Sequence, residues 1–508
     1  MRTEKAFKNM VLAAIYQIVS VICGLITPRL ILEAFGSTYN GVINSAAHFL
    51  SMISVLTLGI TGATRVALYK TLGKDDMEGT SAIMKATKIY MRKVALCVIA
   101  YAAVLCLVYP YISHNDLNKT QNAAIIAIVS IGTFAQYFFG ISNQTLLQAD
   151  QASYIVYALD TVKIIVNTLL TALLIKLGRS VYEVKLVSSI VFFITPAVMN
   201  AYVRRKYQLS SKCEPDNTGI KERGAVAFHS IANLIHNNVD LVLLTLFTDA
   251  KVISVYTVYY LVVGKIKQLM QVVTSGIEAA FGNMWARGEM ESLKRNFRAY
   301  EYVMFTFTAV VFSCVGLLIL PFLRRYTYGV TDIEYIRPLL AVLITAAEAF
   351  YCIRQPYLML VQAAGFYRET KNGAMAEALL NLAVSLVLIN LIGIEGVILG
   401  TLAANLFRTC QYAAFVSKHI LERSIKEIVL RFIWLVLTGA VIIFVSLFAE
   451  DRIAFSEGWM GWIAEGFVVF GIAAAITAVS SLLFYGNDVK YLISVVKRML
   501  RRRSRRSQ

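Results

Sequence analysis

Apolar residues gather into fourteen runs, most of them near the roughly 20 residues that carry a helix across about 30 Å of hydrocarbon. The runs cover residues 9–32, 41–69, 94–113, 122–148, 154–175, 181–203, 224–247, 252–284, 299–323, 338–362, 373–390, 393–415, 432–449 and 461–485. Those at 41–69 and 252–284 exceed the bilayer core, so they are expected to tilt or protrude. The break at Asn390–Gly393 is the shortest. No connecting loop is long enough to fold as a domain, and the largest, around 70–93 and 204–223, are basic. The pattern predicts an all-α integral membrane protein of about fourteen transmembrane helices, with twelve as the fallback.

Charge gives this count a direction. With the N-terminus placed in the cytoplasm, the cytoplasmic segments carry 33 of the 49 Lys and Arg residues, the opposite loops 8 and the spans 8. A fourfold bias that alternates over all the spans is a positive-inside signal, and it puts both termini in the cytoplasm. The N-terminal Met-Arg-Thr-Glu-Lys-Ala-Phe-Lys leads into the first run without an A-x-A-like cleavage site soon after, so that run is expected to remain as an uncleaved span.

Composition closes off other classes. Hydrophobic residues make up 58% and charged residues 16%, against about 45–50% and 25% in soluble domains. The net charge of +18 would suit a nucleic-acid binder, but no polar domain exists to hold such a face, and no nucleic-acid partner is expected. The basic tail from Lys497 to Arg506 is expected to be a stop-transfer segment resting on anionic lipid head groups. Seven cysteines, odd in number and without a C-x-x-C pair, suggest neither a disulfide framework nor a metal site. Six lie inside apolar runs and are expected to be buried free thiols.

A constant shift of 214 residues aligns Tyr137 with Tyr351, Gln148 with Gln362, Asn167 with Asn381, and Thr171 with Ser385 as a similar pair. Leu146, Leu174, Ile175 and Leu177 also meet identical residues. The shift carries the first run onto the seventh, so runs 1–6 repeat as runs 7–12 in the same orientation. The expected organisation is a six-helix bundle over 1–205, a basic linker over 206–223, a second six-helix bundle over 224–415, two further helices over 416–485 and a basic tail over 486–508.

The eight basic residues inside the runs are Arg29, Arg65, Lys163, Lys185, Lys265, Lys267, Arg354 and Arg408. Each costs about 2.5–3.5 kcal/mol at a helix centre facing lipid. Arg65, Lys185 and Arg408 fall near run ends and are expected to snorkel, whereas Arg29 lies about a turn from its outer end. Lys265 and Lys267 are central and point about 200° apart. His229, Asn233, His236 and Asp240 line one face of run 7, with Asn237 beside it. Lys267, Gln271 and Glu278 share a face of run 8, and Asp160, Lys163 and Asn167 a face of run 5. Glu348, Arg354 and Glu377 add charge in runs 10 and 11. A single stripe is explained by mutual neutralisation and helix–helix hydrogen bonds. Stripes in several runs imply a hydrated pathway, an anionic cargo and carboxylates able to carry a coupling proton or sodium ion. Pro28, Pro196, Pro321 and Pro356 offer kinks.

The stretch from Thr27 to Lys93, which opens TPRLILEAFGSTYNGVINSAAHFLSMISVLTLGITGATRVALYKTLGKDD and closes KATKIYMRK, resembles the Wzx-type oligosaccharide flippases. These lie within the superfamily that also holds the MATE multidrug exporters and the lipid II flippases. The resemblance implies a pair of six-helix bundles working by alternating access in the bacterial cytoplasmic membrane. It implies an oligosaccharide on undecaprenyl pyrophosphate as cargo, and allows a polysaccharide polymerase as a partner. No cofactor is expected beyond a coupling H+ or Na+. On that reading Arg29, Lys163, Lys265, Lys267 and Arg354, with Asn233 and Asn237, are the substrate-binding candidates. Asp160, Asp240, Glu278 and Glu348 are the coupling candidates. A cation-coupled drug exporter is the first alternative. A polymerase or glycosyltransferase is less favoured, because the outer loops are brief and carry no paired-carboxylate or metal signature.

Orientation is directly testable. Green fluorescent protein fused after Gln508 should fluoresce, and alkaline phosphatase at the same place should be inactive. The reverse pattern would overturn the assignment of both termini.

Overall fold

A computed structural model describes residues 2–57, 59–210, 213–216, 238–453 and 456–504, and the described chain is helical, without a strand. Hydrocarbon leaves backbone N–H and C=O groups no solvent partner, so helices that close their own hydrogen bonds are the natural outcome of these runs. In order they are α1 (Arg2–Ser51), α2 (Ile60–Leu72), α3 (Met77–Ile112), α4 (Lys119–Ala135), α5 (Ile141–Ala149), α6 (Ser153–Lys176) and α7 (Val181–Tyr207). There follow α8 (Asn238–Phe247), α9 (Ala250–Ala286), α10 (Met290–Tyr326), α11 (Pro338–Ile353), α12 (Gln355–Ala363), α13 (Tyr367–Ile392) and α14 (Ile394–His419). The last three are α15 (Ile425–Glu450), α16 (Trp459–Phe484) and α17 (Gly486–Ser504).

Among the described residues ten helices, some of them joined pairs, are long and apolar enough to span a membrane. This is a multi-pass membrane protein. The other four runs also appear as helix: the second half of α1 with α2, the described part α8, and the charged helices α9 and α14. The run at 41–69 is long because it bends. α1 breaks at Gly36 (φ 81°), and a 3-10 turn at Met52–Thr57 is followed by Gly59 in the left-handed region. At the first break Asp332 accepts hydrogen bonds from the Ser37 backbone N–H (2.8 Å) and hydroxyl (2.6 Å), capping the helix that restarts there.

By packing, the described chain forms two compact units, residues 1–261 with 329–334, and residues 262–328 with 335–508. The first has a core in which Val42, Ala46 and Leu50 of α1 meet Tyr109 of α3 and Ile126 of α4. The second has an aromatic core around Phe297, Phe305, Tyr357 and Trp434. The repeat is visible in the element boundaries. A shift of 214 residues carries α3 onto α10, α5 onto α12 and α6 onto α13 to within two residues. The matched polar residues Asn167, Thr171, Asn381 and Ser385 are all buried, and Ser385 donates to Asn381 at 3.0 Å.

Helix faces are sorted as hydrocarbon demands. α16 buries Gly461, Glu465, Val469, Ala473, Thr477 and Ser481 and turns Phe467 and Leu483 outward. Small and polar residues thus meet other helices while apolar ones face the surroundings. The cysteines are free, but only Cys352 is buried and Cys97 and Cys410 are exposed. The expectation that all six apolar-run thiols are buried is therefore corrected, because an outward face is apolar too.

α13 and α14 form a closely packed hairpin, turned at Gly393 (φ 66°). A Cβ at Gly400 would lie 2.0 Å from the Ser385 hydroxyl, whereas one at Gly471 would meet nothing within 4 Å. Gly400→Leu should destabilise the protein by about 1–3 kcal/mol, read as a lower thermal midpoint, while Gly471→Leu should not lower it. Equal midpoints would mean that these helices do not pack at that distance.

Candidate functional site

In the first unit α6 presents Asp160 and Lys163 three residues apart. Lys163 donates to the Asp160 carboxylate and lies 5.2 Å from the Phe192 ring centre. Both line a cavity of about 420 Å³ whose wall also includes Ser51, Gln136, Tyr137 and Gln144. Gln136–Gly140 forms a single π-helical turn between α4 and α5, a distortion that recurs at functional positions.

In the second unit the equivalent break falls at Arg354, between α11 and α12, with Pro356 just inside α12. Arg354 donates to Glu377 of α13, and the Arg408 Nε lies 3.4 Å from the other Glu377 oxygen. Arg408 also donates to the Thr370 carbonyl at 3.2 Å and to Gln411 and Tyr412. Gly373 makes this possible, since a Cβ there would lie 2.1 Å from the guanidinium. One side of the cluster is set by Lys267, 3.8 Å from Glu348 and 3.8 Å from the Tyr351 ring centre, which Arg354 approaches to 4.5 Å. Three cations therefore surround two carboxylates. In a medium that screens poorly, such charges are stable only with their partners in place.

The structure brings Lys163 to Asp160, Lys267 to Glu348, and Arg354 to Glu377, so three cation candidates have carboxylate neighbours. Arg29 is 3.4 Å from Glu33, one turn along α1. Asp240 is buried and accepts from the Tyr256 hydroxyl at 3.2 Å. Lys265 and Glu278 are half-buried on α9. Asn233, Asn237, His229 and His236 lie outside the described residues, as does the Gln271 side chain. Arg408 corrects an expectation: it is 1% exposed and bonded inward, not snorkelling, because its helix turns that face toward α13.

A second buried network was not expected. Glu301 of α10, 0% exposed, accepts from both terminal nitrogens of Arg423 and from the Tyr357 hydroxyl at 2.6 Å. Arg431 lies 3.4 Å from it and bridges to Asp488 of α17 at 3.0 Å, which Arg298 also meets at 3.0 Å. Arg423 and Arg431 lie between and just before apolar runs, where pattern alone counts them as loop cations. Beside this network an apolar groove of about 770 Å³ runs between α15 and α16. Leu437, Val441, Val479 and Leu483 line it, and Arg298 and Arg431 stand in its wall.

Neither the protein-family models nor the curated proteins give a match. Solved structures do. The lipid II flippase MurJ, in an inward closed conformation, is similar at a TM-score of 0.72 and 14% identity, over 94% of this chain and 100% of that one. The chain has the fold of the MOP transporter superfamily. An inward-facing MATE family multidrug resistance transporter of that superfamily matches at 0.62 and 13% identity, over 79% of this chain and 95% of its own. The MATE multidrug transporter DinF-BH matches at 0.60 and 16% identity, over 83% of this chain and 95% of its own. These structural neighbours are transporters and a flippase, not enzymes.

The paired charges generate a prediction. Glu377→Ala leaves Arg354 and Arg408 without their shared carboxylate and should cost about 3–5 kcal/mol of stability. Glu33→Ala removes the exposed partner of Arg29 and should cost less than about 1 kcal/mol. Thermal unfolding of the two purified variants checks this, and equal losses would mean that Glu377 does not hold the cluster.

Proposed function

We propose that the protein is a flippase that carries an undecaprenyl-pyrophosphate-linked oligosaccharide across a bacterial cytoplasmic membrane for cell-surface polysaccharide assembly. The observation that carries the reading is the buried excess of cations in the second unit, where Lys267, Arg354 and Arg408 surround Glu348 and Glu377. An anionic pyrophosphate competes with those carboxylates for the same donors. Protonation of Glu348 weakens its hold on Lys267, and protonation of Asp160 its hold on Lys163. Each pair thereby becomes an exchange point between a coupling proton and an anionic head. The groove between α15 and α16 suits a long lipid tail, and the similarity to a lipid II flippase over 94% of this chain supports a lipid-linked cargo. Both termini lie in the cytoplasm on this reading, and a polymerase acts on the exported product.

A drug exporter is the second reading. It is favoured by the MATE similarity and by carboxylates that offset much of the interior positive charge. Those matches leave a larger share of this chain uncovered than the lipid II flippase does, which weighs against it.

The test is translocation of a labelled undecaprenyl-pyrophosphate oligosaccharide in proteoliposomes, with and without imposed proton and sodium gradients. Lys267→Ala should slow it at least about tenfold, the effect of losing one charge-assisted contact. Wild-type rates in both Lys265→Ala and Lys267→Ala would remove the pyrophosphate assignment. An unchanged response to pH and sodium in Asp240→Asn would remove that residue from coupling. No movement with several glycans in folded protein, together with raised drug resistance in an exporter-deficient host, would favour the exporter.

A further inference from the structure

The first unit carries a second concave site, apart from Asp160 and Lys163. Lys85, Lys88 and Arg92 recur at spacings of three and four, so they stand on one face of α3. Arg204, in the last turn of α7, completes the ring. All four line a cavity of about 650 Å³, and no carboxylate occurs among the described residues that line it. Its wall also holds Ser81 and Ser210, the Ser210 N–H donating to the Ser81 hydroxyl at 3.1 Å.

Asp150 lies 3.0 Å from Lys5 and 3.7 Å from Lys206, and accepts from the Tyr207 hydroxyl at 2.6 Å. The acids nearest in sequence, Glu78, Glu214 and Asp216, are not in the cavity wall. The segment 213–216 meets α3 through its backbone. Lys85 donates to the Cys213 carbonyl at 2.8 Å, and the Asp216 N–H donates to the Ala82 carbonyl at 3.2 Å. Lys85 and Lys88 are half-buried, while Arg92 and Arg204 are exposed at the rim.

Four like charges around one hollow repel each other, and an anion between them relieves that repulsion. Two arginines and two lysines converging from two helices match a group whose oxygens accept from several directions at once. We propose that Lys85, Lys88, Arg92 and Arg204 form a phosphate-binding site, occupied by a phosphate or pyrophosphate that is either free or carried on a lipid head group. The positive-inside distribution puts this end of the unit toward the cytoplasm. The site is separate from the charge cluster of the second unit, and its occupancy is read without transport, so it is tested independently of the flippase reading.

The experiment uses the full chain in phosphatidylcholine nanodiscs, titrated with inorganic pyrophosphate at low ionic strength and followed by calorimetry. Wild type should bind saturably. Lys88→Gln with Arg204→Gln should weaken binding at least about tenfold, Lys88→Arg should retain it, and Lys206→Gln, on the Asp150 side, should change it less than about twofold. Arg92→Gln, at the exposed rim, serves should the double variant not fold, and should also weaken binding. Nanodiscs containing phosphatidylglycerol distinguish the source. If a lipid head group is the occupant, pyrophosphate binding is suppressed there and native mass spectrometry retains more phosphatidylglycerol on wild type than on the variant. If free phosphate is the occupant, pyrophosphate binding is unchanged. Absence of pyrophosphate binding together with equal lipid retention overturns the site, as does an equal loss in Lys206→Gln, which would reduce it to diffuse surface charge.

Discussion

Glu377 holds two guanidinium groups at once, and the second unit is arranged around that fact. A lone charge facing hydrocarbon costs several kcal/mol, and an arginine does not escape by losing its proton. Arg354 and Arg408 are therefore tolerable only where a carboxylate meets both. That requirement joins the break between α11 and α12 to the middle of α13 and to α14. It also explains the small residues nearby. Gly373 gives the Arg408 guanidinium room, and Gly400 lets α14 approach Ser385 closely enough for α13 to carry Glu377 to its place. Glu301 plays the same part near the ends of the helices, gathering Arg423 and Arg431 and, through Asp488, the start of α17.

Much of this scaffold is legible in the sequence. Hydropathy marks where helices run, and the shift that matches Asn167 with Asn381 also matches the ends of α6 and α13. The partners of buried charges are less legible. Depth along a run can be counted, but the face a residue presents depends on a neighbouring helix that the pattern does not name. Arg408 sits near the end of its run and so reads as a snorkelling side chain, although its helix turns it inward. Arg423 and Glu301 are 122 positions apart, and nothing local to either announces the other. Lys163 and Asp160 are legible as a pair because one helix carries both.

The two repeats share a frame and differ in chemistry. The 214-residue shift puts Lys163 and Glu377 at equivalent positions with opposite charge. It also sets Gly140 of the π-helical turn against Arg354 at the break before α12. Both repeats thus interrupt a spanning helix at the same point, one by a widened turn and the other by a break followed by proline. Backbone groups freed by such interruptions must be satisfied by protein or by water in a cavity. The first unit places its 420 Å³ cavity at the π-helical turn, and the second fills the corresponding region with paired side chains.

The difference bears on what each unit can do. Asp160 and Lys163 belong to one helix, so their partnership can open and close by side-chain rotation alone, a fast and local event. Arg354 and Glu377 belong to different helices, and Lys267 and Glu348 to another pair. Separating either of those by more than a rotamer change requires helices to move against each other. Packed interfaces do this between discrete arrangements, not continuously. A ligand that replaces Glu377 or Glu348 as partner therefore acts on helix position, whereas one that replaces Asp160 acts on the contents of a cavity. An exchange of partners in the second unit would be coupled to conformation by the covalent fact that those partners sit on separate helices.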